Sequence, residues 1–349
     1  FLARFDQPTD IAHHPTHTLA FVAARGTNNV LVLNTAAADP MRWPIADIAV
    51  GAGPRAIAFA PNGDTAYVLC GEGFEVHAID LKPLLAAASA LDVPTDANLL
   101  PTMKPMLLGS TAKVSYGSDP LPAGAQLGRK IFHFARNPRL SASGRFDCAT
   151  CHFEGMEDKT VWFIAEGPRQ TPALAGRLHD TAPYNWLGTK IKLSDNVQNT
   201  TARMGGAGLM PAELESLGAF LVQGLVPPPN PNVDPNGLTE LQLAGKAIFN
   251  DAKSECTTCH VPGSLTDGAQ HDVGTATDVE KKVAVATGKP APIYNTPSLR
   301  GLFYTAPYLH DGSAKTLADA LKKTATTMGH TDHLSPSQLD ALVAYLKTL

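Results

Sequence analysis

The sequence predicts a mainly α chain in which two helical modules follow a partial all-β, propeller-like segment. Three observations carry that expectation. Short alternating runs repeat in the first 80 residues, helical periodicity takes over from Ala125, and after a proline-rich stretch the order helix, CxxCH, loop, helix recurs. At 349 residues the chain is long enough for two or three domains. Hydrophobic residues make up 44% and charged residues 17%, the balance of a globular protein. A net charge of −4, with no Lys/Arg run, gives no reason to expect nucleic acid as a partner. No apolar run reaches the roughly 18 residues of a membrane span. The opening FLARFDQPTD has no initiator Met and no signal peptide, so a processed or trimmed start is expected.

The front segment, residues 1–85, carries the repeat. HPTHTLAFVAARGTNNVLVLNT lies on APNGDTAYVLCGEGFEVHAIDL at an offset of 46 residues, which sets Phe21 over Tyr67, Val30 over Val76 and Asn34 over Asp80. Each copy is a pair of alternating runs around a Gly/Asn turn, the pattern of a hairpin. Two blades cannot close a ring. Either further blades lie upstream of Phe1, or another chain covers the open edge, or the strands form a sheet of another kind. Cys70, in the strand TAYVLC, reads as a small buried hydrophobe. Residues 86–124 read as a connector, entered through a short helix in LLAAASALD and rich in Pro and Gly near its end.

A first helical module is expected over 125–226. AQLGRKIFHFA forms a helix ahead of CATCH, and PAELESLGAFLVQGL closes the module with Pro211 in its first turn. The run through 227–237, in VPPPNPNVDPNG, is a stiff linker. Over 238–349 the pattern repeats: LTELQLAGKAIFN, CTTCH, a long loop-rich insert, and SPSQLDALVAYLKTL, where Ser335 and Gln338 form a capping box. GRKIF and GKAIF stand at similar distances ahead of the two motifs, the mark of a duplication.

CATCH and CTTCH begin 108 residues apart and consume four of the five cysteines. Two thiols three positions apart can add across the two vinyl groups of one porphyrin, and the histidine that follows can bind its iron. Cys148, Cys151 and His152, and then Cys256, Cys259 and His260, therefore read as attachment sites for two covalently bound haem c groups. A structural zinc site wants two cysteine pairs close together, and a redox dithiol would leave both histidines coincidental. Attachment of this type takes place outside the bacterial cytoplasmic membrane, so a periplasmic or extracellular location is expected.

Together with TPALAGRLHDTAPYNWLG and NTPSLRGLFYTAPYLHDGSAKTL, the two modules resemble the bacterial dihaem cytochrome c peroxidase and MauG-like superfamily, over roughly residues 120–349. The front end resembles YVTN-type repeats, which points to a propeller-fused branch. The resemblance implies a first haem that reacts with peroxide and a second that transfers electrons. It sets Trp186 between them as an aromatic bridge; the plainer reading is a core tryptophan with its N–H satisfied. Peroxidases of the superfamily carry Glu before a Met-Gly pair, and here Arg203 precedes Met204. An arginine cannot act as a base, although it can stabilise charge on a departing oxygen or pair with a haem propionate. Met204 and His179 are the candidate sixth ligands of the first iron, the alternative being an open or water-bound iron. Met156, Trp162 and Glu166 lie in the loop after the first motif, where Glu166 is a candidate for the missing base. By the resemblance the sixth ligand of the second iron comes from TTMGHTDH, with Met328 ahead of His330, and His333 exposed. A calcium ion is a further implication.

Three functions stay open at this point. The first is a dihaem oxidoreductase that reduces peroxide or uses it on a partner protein or small molecule. The second is an electron-transfer cytochrome without turnover. The third is a partner-binding or sensor protein that uses the front sheet. Expected partners are a small cytochrome, a copper protein or a protein substrate, with hydrogen peroxide as oxidant.

Overall fold

The computed structural model describes residues 5–39, 43–89 and 106–349. The expectation of a trimmed start falls on residues 1–4, and the end of LLAAASALD on residues 90–92, both outside the described residues. Two compact units emerge, Phe1–Thr150 with Thr201–Leu217, and Cys151–Thr200 with Gly218–Leu349.

In the first unit the repeat becomes three pairs of equivalent strands. β1 (Pro8–His13), β2 (Leu19–Ala24) and β3 (Asn29–Asn34) are followed, after β4 (Pro44–Ala49), by β5 (Pro54–Phe59), β6 (Thr65–Cys70) and β7 (Glu75–Asp80). Each strand of the first trio begins 46 residues before its counterpart. Helix α1 (Lys82–Ser89) precedes β8 (Met106–Gly109) and β9 (Ala112–Ser115). One sheet runs β1-β2-β3-β4-β8 and the other β5-β6-β7-β9; β8 joins β4 in parallel and every other pairing is antiparallel. Alternation decides which side faces inward: in β6 Ala66, Val68 and Cys70 are buried while Tyr67 is exposed. Phe21, Val30, Val32, Ile48, Val68, Ile79 and Leu84 meet in one core, each large side chain contributing about 1.5–3 kcal/mol by leaving water.

The first unit continues with α2 (Ala123–Phe132), most of the four-residue turn α3 (Cys148–Cys151), the last residues of α4 (Leu193–Arg203) and the start of α5 (Pro211–Ala219). In the second, the hairpin β10 (Val161–Ile164) and β11 (Gly167–Gln170) precedes α6 (Glu240–Phe249), α7 (Cys256–Cys259), β12 (Gln270–His271), α8 (Asp278–Thr287), β13 (Tyr294–Asn295), α9 (Leu317–Lys323) and α10 (Pro336–Leu346). Ser335 and Gln338 form the expected capping box on α10.

The matched glycines of GRKIF and GKAIF have a steric cause. A Cβ on Gly128 would lie 2.0 Å from Ser216 O of α5, and one on Gly245 would lie 1.9 Å from Ala341 O of α10. Two helix backbones meet at each glycine, so the same closing contact is built twice. Behind the second crossing, Phe249, Leu299, Leu302, Leu317, Leu342 and Tyr345 form a core.

The expectation of a mainly α chain is corrected: 30% of the residues are helical and 21% lie in strands, in several sheets, and among the described residues no propeller ring is closed. Among the described residues the front segment and the connector together supply nine strands, and α2, α6 and α9 are only 10, 10 and 7 residues long, separated by extensive loops.

Candidate functional site

Both CxxCH motifs fold as single helical turns, which bring their two thiols to one side and release the histidine at the C-terminal end. None of the five cysteines forms a disulfide. At the second turn, the His260 Nδ1 lies 3.0 Å from Leu265 O. A proton on Nδ1 satisfies that carbonyl and leaves the Nε2 lone pair for a metal, the usual arrangement of an iron-binding imidazole. Burial pushes His260 below its ordinary value, against the carbonyl's hydrogen bond. At the first turn burial pushes His152 down to about 4, and its Nδ1 is closed off from solvent. Both rings are thus neutral at physiological pH, the state that binds iron. Burial also raises the Cys256 thiol to about 11 and lifts Cys259, so neither carries the thiolate that a redox dithiol needs. These donor sets fit covalent haem.

The zinc alternative fares worse. Cys259, Asp267 and His271 approach one another within 4.8 Å, and they form the one such group among the described residues. A closed structural zinc site takes four ligands, mostly cysteine and histidine. The same mixture of thiol, imidazole and carboxylate is unsuited to calcium, which prefers oxygen alone, so no step is assigned to calcium.

The segments APYNWLG and APYLHDG fold into matching turns. Tyr184 bridges Lys190, Tyr308 bridges Ala314, and Asn185 and Leu309 both take left-handed backbone conformations at φ 67° and 71°. Trp186 and His310 consequently occupy equivalent places, with ring centroids 6.5 Å apart at 74°. Trp186 Nε1 donates to Gln170 O at 2.8 Å, so its N–H is satisfied. His310 is 2% exposed, stacks on Tyr294 at 4.0 Å, and donates from Nε2 to Glu280 at 3.1 Å. Glu280, at the N-terminal turn of α8, also accepts from Arg169, from Tyr294 Oη at 2.8 Å and from Thr277. Burial alone would raise the Glu280 carboxyl, but hydrogen bonds from Thr277, Tyr294 and Arg169 outweigh it and hold it at about 2. Sequence reasoning missed this cluster. His310 lay inside a quoted motif without a role, and Glu280 lay in the segment read as loop-rich insert.

Arg203 ends α4 with an exposed side chain, and Met204 is half-buried, its carbonyl accepting from Ala142 N at 3.2 Å. Glu166 is half-buried and its backbone carbonyl accepts from Arg169. His179 lies on the surface, 2.6 Å from Asp180. Met156 is half-buried, and Trp162 is exposed with Nε1 donating to Asp158.

In the last loop Met328 is half-buried, while His330 and His333 are exposed. His330 N donates to Ser254 O at 3.1 Å and its ring turns toward Glu255 at 3.6 Å. Gly329 lets the loop approach this closely: at φ 74° a Cβ there would stand 2.4 Å from Ser254 O. The loop therefore lies against the residues that lead into the second CxxCH.

Comparison with known proteins agrees with this geometry. Residues 242–349 match the family Cytochrome c. Hydrazine synthase subunit gamma of Kuenenia stuttgartiensis is 27% identical over 60% of this chain and 73% of its own length. A hydrazine synthase chain from that organism, solved under xenon pressure, superposes with a TM-score of 0.55 at 24% identity, over 66% of this chain and 89% of that one. The methylamine utilization protein MauG of Methylophilus methylotrophus is 33% identical over 57% of this chain and 71% of its own. The cytochrome c551 peroxidase of Nitrosomonas europaea is 25% identical over 64% of this chain and 79% of its own.

Proposed function

The chain belongs to the dihaem cytochrome c peroxidase and MauG-like superfamily of c-type oxidoreductases, and from that membership we propose that it consumes peroxide at the first CxxCH module, 125–226, and moves electrons through the second, 238–349. The observation that carries the reading is a half-buried imidazole directly after a one-turn Cys-x-x-Cys helix, twice in one chain. In this reading Cys148 and Cys151 hold one haem with His152 toward its iron, and Cys256 and Cys259 hold the other with His260. Haem c, when bound, supplies the iron redox centre at which peroxide is reduced.

The chain's own residues do the rest. His260 is oriented by Leu265 O and stays available to the metal. Trp186 lends its π-system to electron passage. Its N–H donates to a carbonyl that cannot take the proton, so the indole keeps that proton throughout. Met328 offers a thioether from the loop against Ser254, and His330, turned to Glu255, is the runner-up. Arg203 supplies positive charge and no basic lone pair, so proton removal from peroxide has weaker support than a glutamate would give. Turnover should therefore fall short of a peroxidase with that glutamate by roughly the 10²-fold that acid–base assistance contributes. Stopped-flow spectra recorded with excess peroxide, in the diferric and half-reduced states, test this. Slow spectral change with measurable turnover is expected; unchanged spectra in every redox state would refute it.

Arg203 also favours a second reading, electron transfer without peroxide turnover, and the same experiment separates the two. A periplasmic location and a small cytochrome or copper protein as redox partner complete the proposal. Their support is the place where haem is attached covalently and the net charge of −4, suited to a basic partner.

A further inference from the structure

The turn that carries Cys148 is held from 140 residues upstream. Asp147, 2% exposed, caps it: Oδ1 accepts from Thr150 N at 2.8 Å, and Asp147 N donates back to Thr150 Oγ1 at 3.2 Å. Into the same Oδ1, Gln7 donates from Nε2 at 2.6 Å. Thr150 Oγ1 stands 2.9 Å from Asp147 Oδ1 and 3.4 Å from Asp6 Oδ2, with one proton to give.

Gln7 is itself pinned. Its backbone is left-handed at φ 50°, its carbonyl accepts from Arg25 N at 3.0 Å, and the Asp6 carbonyl accepts from Gly26 N at 3.0 Å. The same turn after β2 reaches the end of α2. Arg25 Nη2 lies 2.7 Å from His133 Nε2, Arg25 Nε donates to Glu72 at 2.9 Å, and Ala135 N donates to Gly26 O at 2.7 Å. Arg25, Glu72 and His133 are all at most 5% exposed.

The second attachment turn lacks a side-chain cap of this kind. Glu255 precedes Cys256 with a left-handed backbone and an exposed side chain, and it makes no capping hydrogen bond. The two motifs are near copies in sequence, yet a buried, capping Asp147 stands before the first and an exposed Glu255 without a side-chain cap before the second.

We propose that the β segment is a working part of the first haem site, with Gln7 as a positioning residue that fixes, through Asp147, the turn of Cys148 and so the setting of His152 two residues beyond Thr150. The inference rests on the reading of CATCH as a haem attachment. It makes the front segment more than a docking module, since its first strand-end residues bear on the chemistry of the first iron.

The test uses the full-length haem-loaded protein with Gln7→Ala and Gln7→Met. The second variant keeps the side chain's length while removing its donor, and carries the experiment if the first fails to fold. Two readouts are followed: amide hydrogen exchange in the peptide over 147–152, with 255–260 as internal control, and the ferric EPR signals. Losing a hydrogen bond to a carboxylate should raise exchange at 147–152 roughly tenfold. One haem's EPR signal should shift or broaden while the other's and the 255–260 exchange stay as they were. Equal changes at both motifs, or none at either, overturn the inference. Intact mass of the same samples separates this from failure of the underlying reading, since a chain without two covalent haems fails there first. A cycle adding Asp147→Ala should show that the two substitutions are strongly non-additive at 147–152; simple additivity also counts against the proposal.

Discussion

Five hydrogen bonds converge on the buried carboxylate of Glu280, from Arg169, Tyr294, His310 and twice from Thr277. Its folded pKa of about 2 lies below the unfolded value of about 4.3. The sign follows: the group stabilises the fold fully above the unfolded value, and the contribution disappears as pH falls through about 2. Glu280→Gln should cost roughly 3 kcal/mol at pH 7, because Arg169 is left buried without its counter-charge. The gap to wild type should shrink by pH 2.5, and urea unfolding at the two pH values measures it. A gap of constant size would mean that charge is not what the site uses. Met328 gives a second expectation at this scale. Met328→Ala should remove a methionine-type near-infrared band and lower the potential of one haem, whereas His330→Ala should leave both unchanged. An unaltered band in Met328→Ala would refute the assignment.

At the scale of elements, the closing contacts α2/α5 and α6/α10 are set by backbone proximity at Gly128 and Gly245. An alanine at either site forces the helices apart, and Gly245→Ala should cost about 3 kcal/mol or more, at the upper end of overpacking penalties. The denaturant midpoint checks it, and a loss below about 0.5 kcal/mol would show that the crossing yields easily. The match of GRKIF with GKAIF was legible as a duplication, and the hairpins β2–β3 and β6–β7 were legible because period-two alternation is a local property, whereas β1 and β5, which complete the trios, were not read. Nor was the cluster about Trp186. Glu280 in a Thr-x-x-Glu capping box reads only as a helix start, and its partners Arg169 and His310 lie 111 and 30 residues away. The brace from Gln7 was invisible for the same reason. The fold class was misjudged because the CxxCH modules contain more loop than their helical periodicity suggested, while β8 and β9 arise in a stretch read as connector.

For the molecule as a whole, near-identical attachment motifs with unlike surroundings should give unlike redox centres. A thioether ligand favours the ferrous state over what an imidazole or water ligand allows. A spectroelectrochemical titration should therefore resolve two one-electron waves, the higher belonging to the haem whose potential Met328→Ala lowers. A single wave, with both haems titrating together, would contradict the proposed division of labour. Denaturing mass spectrometry should find about 1.2 kDa above the bare chain, the weight of two haems. A mass equal to the polypeptide would refute covalent attachment.

Between β8 and β9 stand just two residues, Ser110 and Thr111, both exposed, yet β8 belongs to one sheet and β9 to the other. In mechanical terms this short bridge is a clasp. Pulled apart, the sheets would load it together with the short link from β4 to β5, and the share borne by the clasp falls on one of two ladders: the four parallel pairs of β8 with β4, or the four antiparallel pairs of β9 with β7. A single peptide-bond cut between Ser110 and Thr111 would remove that load path while leaving both ladders hydrogen-bonded. Limited proteolysis aimed there should give a nicked protein that keeps its strands but comes apart at lower force or lower temperature than the intact chain.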